Sequence, residues 1–578
     1  MPVNIIRRTY DLSACHFTPD MDPLLARIYS ARGVKTQDEL PRQLQQLNDY
    51  RQLKDIDKAA EILADAITRQ QRMLIVGDFD CDGATSSALG VLALRSMGGH
   101  ADFLVPNRFE YGYGLTPEIV EAALPFKPDV LITVDNGISS ITGVQAAKDK
   151  GMKVVVTDHH LAGRELPEAD AIVNPNQPDC PFPGKNTAGV GVIFYLMCAL
   201  RTLLRSRGYF QDKPEPNLAE LLDLVALGTV ADVVKLDSNN RILVFQGLAR
   251  IRSGRCRPGI TALIEVSGRN AEKLAASDLG FALGPRLNAA GRLDDMSIGI
   301  ELLLSEDINR ARELAFELDG LNRDRKAIEG SMQNQAMAEL EKIQFNLQAE
   351  LPWGVSLFQE SWHQGVVGIL ASRIKEKLNR PIIAFAEADN PEGEPELKGS
   401  ARSIQGLHMR DALDSIARDN PELIIKFGGH AMAAGLSIKK SLFGAFKEAF
   451  DLEVRKQLTA DDLQAEMHTD GELMPDQVSM ATAYTLREGG PWGQSFPEPS
   501  FDGTFQIIQQ KLVGEKHLKM VLKIPGSELW LDAIAFNIDN RKWPNPNIRQ
   551  IKAVYKLDIN EFRGQRNLQL MVEHFDPA

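Results

Sequence analysis

The sequence predicts an α/β protein. A parallel-sheet domain is joined by a long helix to a smaller α/β domain, and an OB-like β-barrel follows at the C-terminus. Three observations predict this. First, β-branched runs alternate with helical patterns from about Leu53 to Val234. The runs Met73–Val76, Ala101–Val105, Val130–Val134 and Lys153–Val156 read as buried strands, and Ala84–Met97, Thr116–Leu124 and Gly143–Lys150 as helices between them. Thr116-Pro117 supplies an N-cap and first-turn pair. Such alternation implies a parallel sheet covered on both faces. Second, Ser305–Leu347 has no proline and carries an apolar stripe through Ile308, Ala311, Leu314, Leu318, Leu321, Ile328, Met332 and Leu340. That predicts a helix long enough to bridge two domains, the alternative being two helices broken near Gly330. Third, short strands dominate beyond Leu463, among them Lys519–Ile524, Leu529–Phe536 and Ile551–Ile559.

The expected domains follow in order. Residues 1–50 are polar and read as a helical preface, and residues 51–304 form the first α/β domain. Residues 305–350 are the connecting helix. Residues 351–455 form the second α/β domain, with strands Gly354–Phe358 and Pro381–Phe385 around a helix at Gly368–Leu378 and a loop at Ala388–Glu396. Residues 456–578 are the barrel.

Composition excludes several classes. Hydrophobic residues at 44% and charged residues at 25% are ordinary for a globular chain. The five cysteines are scattered with no CxxC pair, which argues against a zinc knuckle or a disulfide framework. No apolar segment follows a basic start, and the longest apolar run, Ala188–Leu200, falls short of the roughly 20 residues a bilayer requires. A reduced, cytoplasmic, monomeric protein without membrane contact is expected. The net charge of −13 counts against a generic nucleic-acid binder. Metal-binding carboxylates soften that objection, since bound ions neutralise them. Arg250, Arg252, Arg255 and Arg257 offer a local basic patch, or equally a solvated loop.

The chemistry sits where the acids fall. Asp78, Asp80 and Asp82 follow the first strand, Asp135 ends a later one, and Asp158, His159 and His160 end the next. Ligands bind at the carboxyl ends of strands in an open parallel sheet. One DxDxD run can be a plain turn, but convergence after three strands would bury several carboxylates together, which is costly without cations. Asp232 adds another, within an almost wholly apolar stretch. Carboxylates with imidazoles and no thiolate suit Mn²⁺ or Mg²⁺ better than Zn²⁺. Two such ions are the usual apparatus for splitting phosphate esters, with Asp135 as the natural bridge because it ends a central strand.

Asp78–Gly83, Val134–Gly137, Asp158–His160 and Ala231–Val234 together resemble the DHH phosphoesterase superfamily. Trp362–Gly368, Gly399–Ser403 and Phe427–His430 resemble its accessory DHHA1 domain. With Leu283–Asn288 and the barrel, the likeness covers nearly the whole chain and is nearest to the branch of single-strand-specific 5′→3′ exonucleases. The resemblance implies metal ligation by Asp80, Asp82, Asp135, His159 and Asp232, with Asp78 as ligand or close neighbour. It implies that His160 faces the scissile phosphate and that Arg402 and His430 hold the strand. It also implies cooperation with a single-strand-binding protein and a helicase.

Other residues are candidates for strand contacts. Gly428-Gly429-His430 lets backbone amides approach a phosphate, and Ser400 sits in a similar turn; a plain turn is the alternative for both. Arg108 follows a strand at the catalytic edge, and Tyr111 and Tyr113 could stack on bases or simply anchor their loop. Arg286 is a candidate for reading a 5′-terminal phosphate, or else pairs with Asp294 or Asp295. The expected activity is an exonuclease threading single-stranded DNA between two α/β domains. The alternatives are a relative acting on short oligonucleotides, cyclic dinucleotides or pyrophosphate, and a non-catalytic replication scaffold.

Overall fold

A computed structural model describes residues 3–106, 114–347, 351–388, 394–562 and 564–578. Arg108, Tyr111 and Tyr113 lie outside the described residues. The chain forms two compact units, one built from Ile5–Asp319 with His468–Ala578, the other from Gly320–Met467 with the N-terminal residues up to Asn4.

The first unit opens on a short strand, β1 (Asn4–Arg7), and then builds the expected sheet. Its strands are β2 (Arg72–Gly77), β3 (His100–Leu104), β4 (Val130–Val134), β5 (Lys153–Thr157) and β6 (Ala171–Val173). They pair in the order β3-β2-β4-β5-β6, all parallel. The chain adds β3 on one side of β2 and β4 on the other. A topological switch point therefore lies at the carboxyl ends of β2 and β4, where a crevice forms. Leu74, Val76, Leu131, Val154 and Val156 are buried against helices, which is why these runs read as continuously apolar. The helix Gly189–Ser206 is longer than the apolar run that suggested it. It is apolar and long enough to cross a membrane by length and composition, yet 67% of it is buried inside the fold.

The helix Ile308–Leu347 runs unbroken for 40 residues, so the alternative of two helices is not realised. A methyl group added at Gly320 or Gly330 would meet only open space, so neither glycine marks a packing constraint. The division between units falls within this helix, after Asp319. The second unit holds β7 (Val355–Phe358), β8 (Ile382–Glu387), β9 (Glu396–Arg402), β10 (Lys426–Gly429) and β11 (Ala433–Lys439), in the order β10-β11-β9-β8-β7. Only β7 and β8 are parallel, joined through the helix Val367–Leu378. Phe385, Phe446 and Phe450 fill its core.

After β12 (Glu466–Thr469) come β13 (Phe501–Val513), β14 (His517–Lys523), β15 (Trp530–Ala535), β16 (Gln550–Phe562) and β17 (Gln565–Pro577). The last five close into a barrel in the order β13-β14-β15-β17-β16, as expected. Leu518, Met520 and Leu522 alternate inward along β14, the period-two pattern of a barrel wall.

The N-terminal preface is not the helical segment expected. Pro23–Ser30 is its only α-helix among the described residues up to Tyr50, and the rest is β1 and short 3₁₀ turns such as Gln37–Glu39 and Leu44–Gln46. So short a helix has little stability alone. It gains it from the barrel: Leu24 and Ile28 join one hydrophobic cluster with Phe501, Phe505 and Leu473. Arg32 pairs with Asp470 at 2.8 Å, each side chain only 1% exposed, and Arg7 pairs with Asp502 at 2.7 Å. The residues that made this stretch look solvated are arginines whose partners lie more than 400 positions away. Removing one member of a buried pair leaves the other charged and unpaired, at a cost of about 3–5 kcal/mol. Arg32→Ala is therefore expected to lower the melting temperature clearly, whereas Arg51→Ala, at an exposed pair, should leave it within about a degree or two. Equal melting of both variants would show that the pair does not hold the barrel in place.

Candidate metal centre

Each acid reaches the crevice by a local device. Asp80 caps the helix Cys81–Ser96, its Oδ1 accepting from the amides of Asp82 (2.9 Å) and Gly83 (3.0 Å). The cap turns the chain sharply after β2, and Gly291 lets a neighbouring helix press against it. A Cβ at Gly291 would lie 1.8 Å from the Phe79 carbonyl oxygen. Asp82 points into the fold and accepts from the amides of Gly189 (2.7 Å) and Val190 (2.9 Å), the first turn of an 18-residue helix. Helix N-termini favour anions, so this arrangement suits a buried carboxylate. Asp135 leaves β4 at φ +60°, a left-handed conformation that Asp tolerates better than most residues. Asp232 ends the helix Leu222–Ala231.

These devices bring together all six residues expected to ligate metal. Three overlapping groups have ligand atoms within 4.8 Å of one another: Asp135, His159 and His160; Asp82, His159 and Asp232; Asp78, Asp80 and Asp135. Asp135 belongs to two groups and His159 to two. His159 Nε2 lies 3.1 Å from Asp135 Oδ1 and 3.5 Å from Asp232 Oδ2.

The electrostatics are those of a site built for cations. Burial raises the Asp135 carboxyl well above its ordinary range, and the charges of Asp82, Asp80 and Asp232 add to this. Burial and the charge of Asp80 push Asp82 to about 7, in spite of its two amide donors. Asp232 is raised well above its usual value by burial, with Asp82 and Asp80 contributing. Burial, and then the neighbouring His160, lower His159 to about 4, which keeps its imidazole neutral as a metal ligand requires. Among the described residues neither His159 Nε2 nor Asp232 Oδ2 has a hydrogen-bond partner, although both are buried. Buried polar atoms are rarely left so, and a divalent ion satisfies both at once. The donor set, carboxylates with one or two imidazoles, fits Mn²⁺ or Mg²⁺.

Asp158 has a part that its sequence position did not reveal. It is 1% exposed and accepts from the amides of Ile138, His159 and His160, and its Oδ1 lies 2.7 Å from His160 Nδ1. Burial by itself lowers the His160 pKa, but the hydrogen bond and charge of Asp158 outweigh it, so the pKa is raised. Asp158 thus orients His160 and favours its protonated form. Asn288, whose Oδ1 accepts from the Cys81 amide at 2.8 Å, was also missed; it steadies the same turn from another helix. Only the D-H-H triplet itself and the asparagine in Leu283–Asn288 hinted at these two.

The remaining candidates fall in both units. The Arg286 fork faces the protein: it meets Asp319 at 2.8 Å and donates to the Ala282 carbonyl at 2.6 Å, with 12% of the side chain exposed. Its acidic partner is Asp319 in the long helix, and not Asp294 or Asp295, the alternative that the sequence offered to a phosphate role. Of the arginine cluster, Arg257 pairs with the buried Asp223 and Arg252 donates to the Leu274 carbonyl, so both are in large part structural. In the second unit, Gly429, Ala434 and Ala401 align across β10, β11 and β9, so Arg402 and His430 leave the sheet at one end. Arg402 donates to Ser372 and Ser400 hydroxyls, each at 3.1 Å, and burial lowers its pKa. Among the described residues no carboxylate pairs with it, which is unusual for so enclosed a cation and suits an anion ligand. His430 is exposed, and Gly429 sits at φ +139° with no room for a Cβ beside Ala434.

Fold and site together define a metal-dependent phosphoesterase of the DHH class. The sequence profile of the DHH family, N-terminal domain, matches residues 72–229, that of the DHHA1 domain residues 350–456, and that of the RecJ OB domain residues 469–574. The single-stranded-DNA-specific exonuclease RecJ of Escherichia coli K12 is 55% identical over 578 residues, covering 100% of this chain and 99% of that protein. Its counterpart from Dickeya dadantii is 57% identical, covering 97% of each chain. The crystal structure of Thermus thermophilus RecJ with Mn²⁺ superposes with a TM-score of 0.79 at 27% identity, covering all of this chain and 80% of that one. A second crystal structure of that protein holds Mg²⁺. The chain belongs to the RecJ family of single-stranded-DNA-specific exonucleases.

If cations hold the acids together, removing one acid should relieve the metal-free protein. Asp135→Asn is expected to melt in EDTA at or above the wild-type temperature. Added Mn²⁺ should raise the wild-type melting temperature and leave the variant's little changed. A variant that melts lower in EDTA and still responds fully to Mn²⁺ would remove Asp135 from the centre.

Proposed function

We propose that the chain degrades single-stranded DNA from its 5′ end to mononucleotides, in DNA recombination and repair. The observation that carries this reading is the convergence of Asp78, Asp80, Asp82, Asp135, His159 and Asp232 at the switch point of the sheet. Asp135, common to two of the three groups, would hold the ions together with Asp78, Asp80, Asp82, His159 and Asp232. Two divalent ions held there would supply charge neutralisation of the phosphate, an activated water and stabilisation of the leaving oxygen.

The chain's own residues do the rest. His160, held by Asp158, presents a protonated imidazole to a non-bridging phosphate oxygen and donates to it as negative charge develops. His159 stays neutral and ligates. In the DHHA1 unit, Arg402, with Ser400 and the amides near Gly429 and His430, binds phosphates of the strand. Arg108, Tyr111 and Tyr113 are the sequence's candidates for contacts near the 5′ end. Arg286 secures the start of the long helix through Asp319, so we assign it no phosphate. The barrel adds strand affinity through stacking and cationic side chains. The protein works as a cytoplasmic monomer beside a single-strand-binding protein and a helicase.

Digestion of end-labelled strands tests direction: a 5′ block should stop hydrolysis in Mn²⁺, a 3′ block should not, and EDTA should abolish it. Hydrolysis that starts at a blocked 5′ end would overturn the direction. Asp158→Asn is expected to lower kcat by about a hundredfold or more while KM for the strand changes little, because it misorients His160 without removing a ligand. A loss confined to KM would mean that Asp158 serves binding alone.

A further inference from the structure

A cavity of about 340 Å³ opens beside the Asp232 turn, within the first unit. Val230, Val233 and Phe281 line it from the catalytic domain, and Trp492 from the segment leading into the barrel. Two backbone anomalies meet on it. Val233, the residue after Asp232, has φ +62° and is 62% exposed. A β-branched residue in that region is strained, and such strain persists where function requires it. Phe281 is 82% exposed and projects from a π-helical turn, Leu279–Leu283. Single π turns concentrate at functional sites. One exposed apolar side chain is ordinary. Two, each set out by an unusual backbone and both lining one cavity, point to a ligand.

Charge and position say which kind. Within the cavity Arg252, Arg487 and Lys556 face Glu488 and Glu498, and Lys556 pairs with Glu498 at 3.1 Å. The near balance suits a flat, weakly charged group better than a run of phosphates. Whatever enters lies one residue from Asp232. Val233 joins this lining to Asp232 along the chain, so the flat groups of a strand held at the metal centre, its bases, are the candidates.

We propose that this cavity takes unpaired bases of the substrate strand next to the scissile phosphate, with the Phe281 ring as their stacking surface. The proposal rests on the exonuclease reading above. It makes Phe281 a specificity residue, since a base held in a duplex has both faces covered and cannot enter.

The test compares an oligothymidylate with a strand of equal length made wholly of abasic nucleotides, using the full chain with Mn²⁺. Phe281→Ala is expected to raise KM for oligothymidylate about fivefold or more, to leave KM for the abasic strand unchanged, and to melt like wild type. Phe281→Tyr, which keeps the ring, should restore the wild-type KM. Equal loss on both strands, or no loss on either, overturns the proposal; the latter would leave the cavity to a peptide segment of a partner protein. Wild-type protein that hydrolyses neither strand would instead sink the exonuclease reading itself.

Discussion

Mutual repulsion among buried carboxylates is the constraint on which the catalytic domain depends. Asp78, Asp82, Asp135 and Asp158 are each less than a tenth exposed, and Asp80 and Asp232 stand beside them. Charges this close in a poorly solvated crevice cannot all ionise unless cations arrive. The raised pKa of Asp82, Asp135 and Asp232 expresses that conflict in the metal-free protein. Asp158 escapes it, because His160 and three backbone amides stabilise its charge. The centre is thus divided between acids that need metal and one acid that has an imidazole partner already.

The scaffold is arranged to hold this unfavourable cluster still. Asp80 and Asp82 are fixed by the N-terminal amides of two different helices, and the left-handed turn at Asp135 is backed by Gly189. A Cβ at Gly189 would lie 2.8 Å from the Asp135 Cβ, so glycine is needed there for the helix to approach. The ligands therefore stand in place before a metal binds. Preorganised dipoles and charges require little rearrangement during reaction.

The barrel is no loosely tethered appendage. Its core includes Leu24 and Ile28 from the N-terminal segment, and Arg42 from the same segment lies over Phe245 of the catalytic domain at 4.8 Å. Arg241, in the catalytic domain, lies over Phe496 at 4.3 Å and donates to the Glu39 carbonyl. These contacts tie three distant stretches of chain into one compact unit. A truncation that removes the barrel at about residue 455 strips the cover from Leu24 and Ile28, so loss of activity in it reports on stability as well as on binding.

Much of this was legible in the sequence, because period and punctuation are local properties. The strands β2, β4 and β5, the long helix and the alternation in the barrel were predicted to within three residues, since each depends on neighbours in the chain. The cluster of acids was legible for a related reason: in a parallel sheet, strand ends share an edge, so acids after several strands must meet. What the sequence left open depends on partners far along the chain. The preface looked like a solvated helical segment because Asp470 and Asp502 could not be matched to Arg32 and Arg7 by position. The sequence offered Arg286 a phosphate or a nearby acid, and the contact with Asp319 could not be read from position. Asp158 showed only as a letter in a motif, and its service to His160 emerged from a 2.7 Å contact. Period and turn chemistry are written in neighbouring residues, whereas the pairing of charges is decided by which distant segments the fold packs together.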